Sequence, residues 1–86
     1  MVLIVDDWRE VAHNAQYCRT IFYMVEEYPG GTRVRVSAGN CAFDEVFTND
    51  EEKELNELLK WLKNIPNKTK IKGSVPLDVF FAKGGK

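Results

Sequence analysis

The sequence predicts a small α/β domain: a short, mostly parallel sheet of three or four strands with helices packed on it. Three observations point there. Val2-Leu3-Ile4-Val5 is an uninterrupted apolar run of the kind buried on both faces, and it ends in two carboxylates, Asp6-Asp7. Two stretches, 8–28 and 50–64, repeat their apolar residues at helical spacing. Between and after them lie short strand-like segments, giving the order β-α-β-α-α-β and right-handed crossovers. At 86 residues, with 44% hydrophobic and 29% charged residues, the chain reads as a single domain, 1–86, with one modest core.

The first strand must end where its carboxylates can reach water, so Asp6 and Asp7 mark the mouth of the sheet. One of them is also placed to cap the helix that follows. From Trp8 the apolar residues fall at Val11, Ala15, Cys18, Phe22 and Val25, a helical stripe that Pro29-Gly30-Gly31 would stop near Tyr28. Tyr17, Met24 and Tyr28 then lie together on one flank of this helix, beside a polar face that includes His13. Thr32 to Ser37 alternates as a strand does, through Arg33-Val34-Arg35-Val36.

Residues 41–47 fit two patterns. As a helix capped by Asn40 they group Ala42, Phe43, Val46 and Phe47. As a strand they put Glu45 on the face of Cys41, Phe43 and Phe47. The helix is preferred, with Phe43 and Phe47 buried and Asp44 and Glu45 wet. The strand alternative pairs 33–38 with 41–47 through a turn at Gly39-Asn40 and leads to an α+β, ferredoxin-like fold. Residues 50–64 form the clearest helix, with Leu55, Leu58, Leu59 and Leu62 as its stripe, Trp61 at the border, acids at its start and lysines at its end. Pro66-Asn67 ends it. A short lysine-rich strand or loop at 69–72 and a last strand at 75–82 complete the chain.

Charge is unevenly spread. Residues 1–62 hold twelve acids and six bases, whereas 63–86 hold six lysines against Asp78 alone. Such a basic end suits a nucleic-acid backbone, but nothing aromatic is interleaved with Lys68, Lys70 and Lys72 for stacking on bases. Lysines on an edge strand also guard against aggregation. The longest apolar run, Met1 to Val5, is far too short to span a membrane. Two cysteines without metal or redox spacing, Cys18 and Cys41, read as a reduced, cytoplasmic protein.

Val2-Leu3-Ile4-Val5-Asp6-Asp7 resembles the first strand of the receiver domains of bacterial response regulators. Val34 to Asn40 with the segment after it, Glu57 to Leu62, and Val75-Pro76 with Val79 to Gly84 resemble later pieces of that family in the same order. The resemblance implies a flavodoxin- or receiver-like sheet in which Asp6 and Asp7 face Mg²⁺. The chain departs from the family at three points. Phe47-Thr48-Asn49-Asp50 leads straight into a helix where the phosphoacceptor strand belongs, Phe81 stands at the switch hydroxyl position, and the last strand and helix are missing. The resemblance therefore implies a shortened, phosphorylation-incompetent domain.

These readings converge on a non-catalytic protein-interaction or regulatory module, with a protein partner or self-association through Tyr17, Met24 and Tyr28. No cofactor is expected beyond Mg²⁺ at Asp6 and Asp7. The alternatives are a small metal- or ligand-dependent enzyme using the Asp6/Asp7 crevice with Lys83 opposite, and a nucleic-acid-binding protein using the basic C-terminal segment.

Overall fold

The fold is that of a computed structural model, which describes residues 3–73. The expected strand at 75–82 and Lys83 lie outside the described residues. The elements are β1 (Leu3–Ile4), α1 (Trp8–Ala15), β2 (Thr20–Tyr28), β3 (Gly31–Ala38), β4 (Cys41–Thr48), a 3-10 turn (Asn49–Glu51), α2 (Glu52–Asn64) and β5 (Thr69–Lys72).

The five strands form one sheet in the order β1-β4-β3-β2-β5. Its centre is an antiparallel meander, β2-β3-β4, and β1 and β5 flank it in parallel with β4 and β2. The chain is therefore a small α+β domain, and the mostly parallel, flavodoxin- or receiver-like sheet is not its fold. Two local decisions separate the expected fold from the observed one.

The first lies at residues 16–28. The helix beginning at Trp8 closes at Ala15 through short-range turns, with the amides of Tyr17 and Cys18 donating to the carbonyls of Asn14 and Ala15. Thr20 to Tyr28 then forms a strand. Thr-Ile-Phe-Tyr-Met-Val is rich in β-branched and aromatic residues, and Ile21, Tyr23 and Val25 alternate onto the face opposite Ala38, Val36 and Val34. Cys18, Phe22 and Val25 satisfy helical spacing as well, which is why both periods fit. Pro29-Gly30 is then not a helix stop but a two-residue hairpin turn joining Tyr28 to Gly31. Gly31 has to be glycine, because a Cβ there would collide with the Phe47 carbonyl of β4.

The second lies at 41–47, which is strand and not helix. Gly39, at φ +62°, takes the first position of a two-residue turn with Asn40, and Ala38 pairs with Cys41. This hairpin is the one the α+β alternative called for. Asp44, expected to stay wet, is 6% exposed. It lies on the face away from the helices, where Arg33 grips it with two bonds of 2.9 and 2.8 Å.

Both helices pack on one face. Val11 and Ala15 of α1 and Leu58 and Leu62 of α2 share a single core with Ile21, Val34, Val36, Phe43 and Phe47. The two helix N-termini and the two helix C-termini consequently form opposite ends of one layer. At the first end, Arg9 ties the helices together, 2.9 Å from both Glu54 and Glu57.

Candidate functional site

Two clefts open in the helix layer, one at each end of α1. At the N-terminal end, Asp7 caps α1 by accepting the Arg9 amide at 3.0 Å, and it also meets the Arg9 guanidinium at 3.3 Å. Those bonds, together with Glu54, hold the Arg9 guanidinium further above its ordinary range, the Glu54 hydrogen bond most of all. Asp6, Glu45, Glu51 and Glu54 surround a cleft of about 430 Å³ whose apolar wall is Trp8, Phe43, Val46 and Phe47. Glu51 is engaged locally, accepting from the Thr48 amide and hydroxyl at 2.9 and 3.1 Å. Trp8 leans on Trp61 with ring centroids 5.8 Å apart, and Arg9 sits 4.9 Å over its ring.

Glu45 shares a face with the buried Cys41, Phe43 and Phe47, the arrangement that counted against a strand here. The strand accommodates it because that register opens into the cleft between the helix starts. Asp6 and Asp7 are thus side by side as expected, but Asp7 is committed to the cap. Among the described residues, no three His, Cys, Asp or Glu side chains are grouped closely enough to hold a metal ion.

At the other end, α1 and the C-terminal part of α2 enclose a groove of about 660 Å³. Ala12, Trp61 and Ile65 form its apolar surface, and Arg9, His13, Gln16 and Lys68 its polar rim. His13 and the exposed Tyr17 meet edge to face at 6.1 Å. The Lys68 ammonium donates to the carbonyls of Cys18 at 2.5 Å and Gln16 at 3.4 Å. The Lys70 ammonium donates to those of Leu62 at 2.9 Å and Lys63 at 3.3 Å, in the last turn of α2. Both lysines thereby serve carbonyls left free where the chain leaves a helix.

Tyr17, Met24 and Tyr28 do not form one flank. Tyr17 follows α1, whereas Met24 and Tyr28 belong to β2, on the sheet face away from the helices and opposite Arg35 and Gly31. Cys41 opens a strand and not a helix, so no helix dipole lowers its thiol. Burial pushes it up, and Glu10 adds to this. The groove residues His13, Lys68 and Trp61 were legible only singly, as a polar-face histidine, an edge lysine and a border tryptophan. Their meeting depends on how α1 and α2 lie against each other.

No known family model, curated protein or solved structure matches the chain. No helix among the described residues is long and apolar enough to cross a membrane.

Proposed function

We propose that the chain is a non-catalytic protein-interaction module that holds an acidic, partly apolar segment of a partner protein in the groove between α1 and α2. The observation that carries this is the lining of that groove. Its rim offers Arg9, His13, Gln16 and Lys68 beside an apolar surface of Trp61, Ala12 and Ile65. Concave, mostly apolar sites with a few placed polar groups are where ligands bind. Arg9 and Lys68 are already engaged, by acids and by backbone carbonyls, so the exposed His13 ring and Gln16 amide are the rim groups that hydrogen-bond a partner's carboxylate, and Trp61 offers a platform for an apolar or aromatic side chain.

Titration with an acetylated and amidated peptide of alternating aspartate and phenylalanine tests the proposal. Binding should appear as shifts of the His13 ring and Trp61 indole resonances. His13→Glu with Gln16→Glu, both on the surface layer, should abolish it while leaving the melting temperature in place. Shifts that persist in this double variant, or that the matched lysine peptide produces equally in the groove, would rule the groove out as the docking site.

A further inference from the structure

We infer that the pocket beside the groove, where β2 and β5 begin, seats the phosphoryl group of a phosphorylated side chain in the partner segment. This rests on the groove as the docking site, because Asn67 and Lys68 line both cavities.

The pocket measures about 400 Å³ and is lined by Arg19, Asn67, Lys68 and Thr69. β2 and β5 run parallel and so start at the same end of the sheet, with the Thr69 amide donating to the Arg19 carbonyl at 2.9 Å. Asn67, at φ +55°, bends the chain on its way from α2 into β5. Asparagine takes this left-handed conformation more readily than most residues.

What fits the pocket follows from its charge. Arg9, Arg33 and Arg35 each meet a carboxylate, whereas the exposed Arg19 guanidinium makes no ion pair or hydrogen bond among the described residues. Lys68 adds a second positive charge, although its ammonium is held by the carbonyls of Gln16 and Cys18. Residues 11–25 and 58–73, the stretches that supply the lining, contain no aspartate or glutamate. Beside this uncompensated charge stand two neutral donors, the Asn67 amide and the Thr69 hydroxyl.

An arginine fork with further donors around it suits an oxyanion that carries several acceptor oxygens and more than one charge. A phosphoryl group is such an anion, with three acceptor oxygens where a carboxylate has two. One free arginine and one committed lysine seat a single group. A nucleic-acid backbone needs a row of free cations instead. The groove supplies the rest of the recognition, since a segment lying over Trp61 and Ile65 that continues past Lys68 comes to Arg19.

The test uses the full chain and four probes: the acetylated, amidated peptide of alternating aspartate and phenylalanine, the same peptide with phosphoserine at either end in turn, acetylated phosphoserine amide, and a thymidine octanucleotide. One phosphopeptide should bind roughly tenfold more tightly than the plain peptide, the worth of one hydrogen-bonded contact between charged groups. Phosphoserine amide alone should move the Arg19 Nε–H resonance. Arg19→Gln should remove the gain while leaving the melting temperature and the plain peptide's affinity unchanged, because the side chain holds nothing in the fold. Lys72→Gln, which removes a positive charge outside the pocket, should preserve the gain. The inference falls if neither phosphopeptide binds more tightly, if the Arg19 Nε–H stays still, if Lys72→Gln costs as much as Arg19→Gln, or if the octanucleotide binds more tightly than the phosphopeptides. The groove fails separately. A plain peptide that leaves His13 and Trp61 unmoved, with Arg19 still answering phosphoserine amide, would remove the groove and keep the phosphoryl seat.

Discussion

Asp44 shows how much one side chain can weigh in a domain of this size. Its carboxylate is buried on the face away from the helices, bonded twice by Arg33, with Arg35 4.0 Å away. The Asp44 hydrogen bond also raises the Arg33 guanidinium above its ordinary range. Removing one member of such a pair leaves the other short of compensation. Asp44→Ala should therefore cost about 3 kcal/mol in urea unfolding, whereas Arg9→Ala, which breaks three exposed contacts, should cost far less. Equal losses from the two variants would show that Asp44 is not the buried anchor described. Cys41 supplies a pH-dependent counterpart. Its thiol is raised above the ordinary 9.0 by burial first, so the folded chain keeps the proton that the unfolded chain releases. Stability from this group is present in full below about pH 9 and is lost as the pH rises through the folded value. Cys41→Ala should flatten the alkaline fall in melting temperature, and Cys18, less buried, should react with a thiol reagent before Cys41 does.

Among the elements, α2 and the first hairpin carry the clearest expectations. Leu58 is fully buried under α2, so Leu58→Ala should destabilise by about 3 kcal/mol through lost contact and the cavity left behind. Gly31 admits β4 only because it lacks a Cβ. Gly31→Ala must push β3 and β4 apart, with a cost of roughly 1–3 kcal/mol measurable by denaturation. Unchanged stability would mean that the meander is not joined in the register Gly31–Thr48. The α2 stripe was plain in the sequence, because leucines at 55, 58, 59 and 62 fit one period only and acids and lysines mark its two ends. That Asp6 or Asp7 caps α1 was plain too, since an aspartate before an amphipathic run has a local partner in the next turn, and the structure makes it Asp7. Residues 16–28 and 41–47 were not. Their apolar residues fit periods of both 3.6 and 2, and what chose between the two was a partner strand far off in the sequence.

For the molecule as a whole, the basic segment is the feature that most invites a functional reading, and the fold gives it a structural use. Lys68 and Lys70 place their ammonium groups on backbone carbonyls, 2.5 and 2.9 Å from the nearest. A lysine so engaged must break those bonds to reach a phosphate. Nucleic acid should accordingly be retained only at low salt and without sequence preference, with affinity falling steeply as salt is added. Micromolar binding of DNA or RNA at physiological salt would contradict this. Lys70→Met, which keeps the stem and removes the charge, should destabilise the end of α2 by up to about 1 kcal/mol.

The sequence by itself determined the elements whose partners are local: the capped start of α1, the leucine stripe and charged ends of α2, and the alternation of β3. The tertiary structure alone decided that β2 and β4 are strands, that the sheet is an antiparallel meander with parallel edges, and that Asp6, Trp8 and Glu45 share one cleft while His13, Trp61 and Lys68 share another. The physical reason lies in where the stabilising contacts are made. A helix satisfies its backbone within four residues, so its signals are written next to one another. A strand satisfies its backbone on another strand, and a cleft is the gap left between packed elements, so neither is written in any one stretch of the chain.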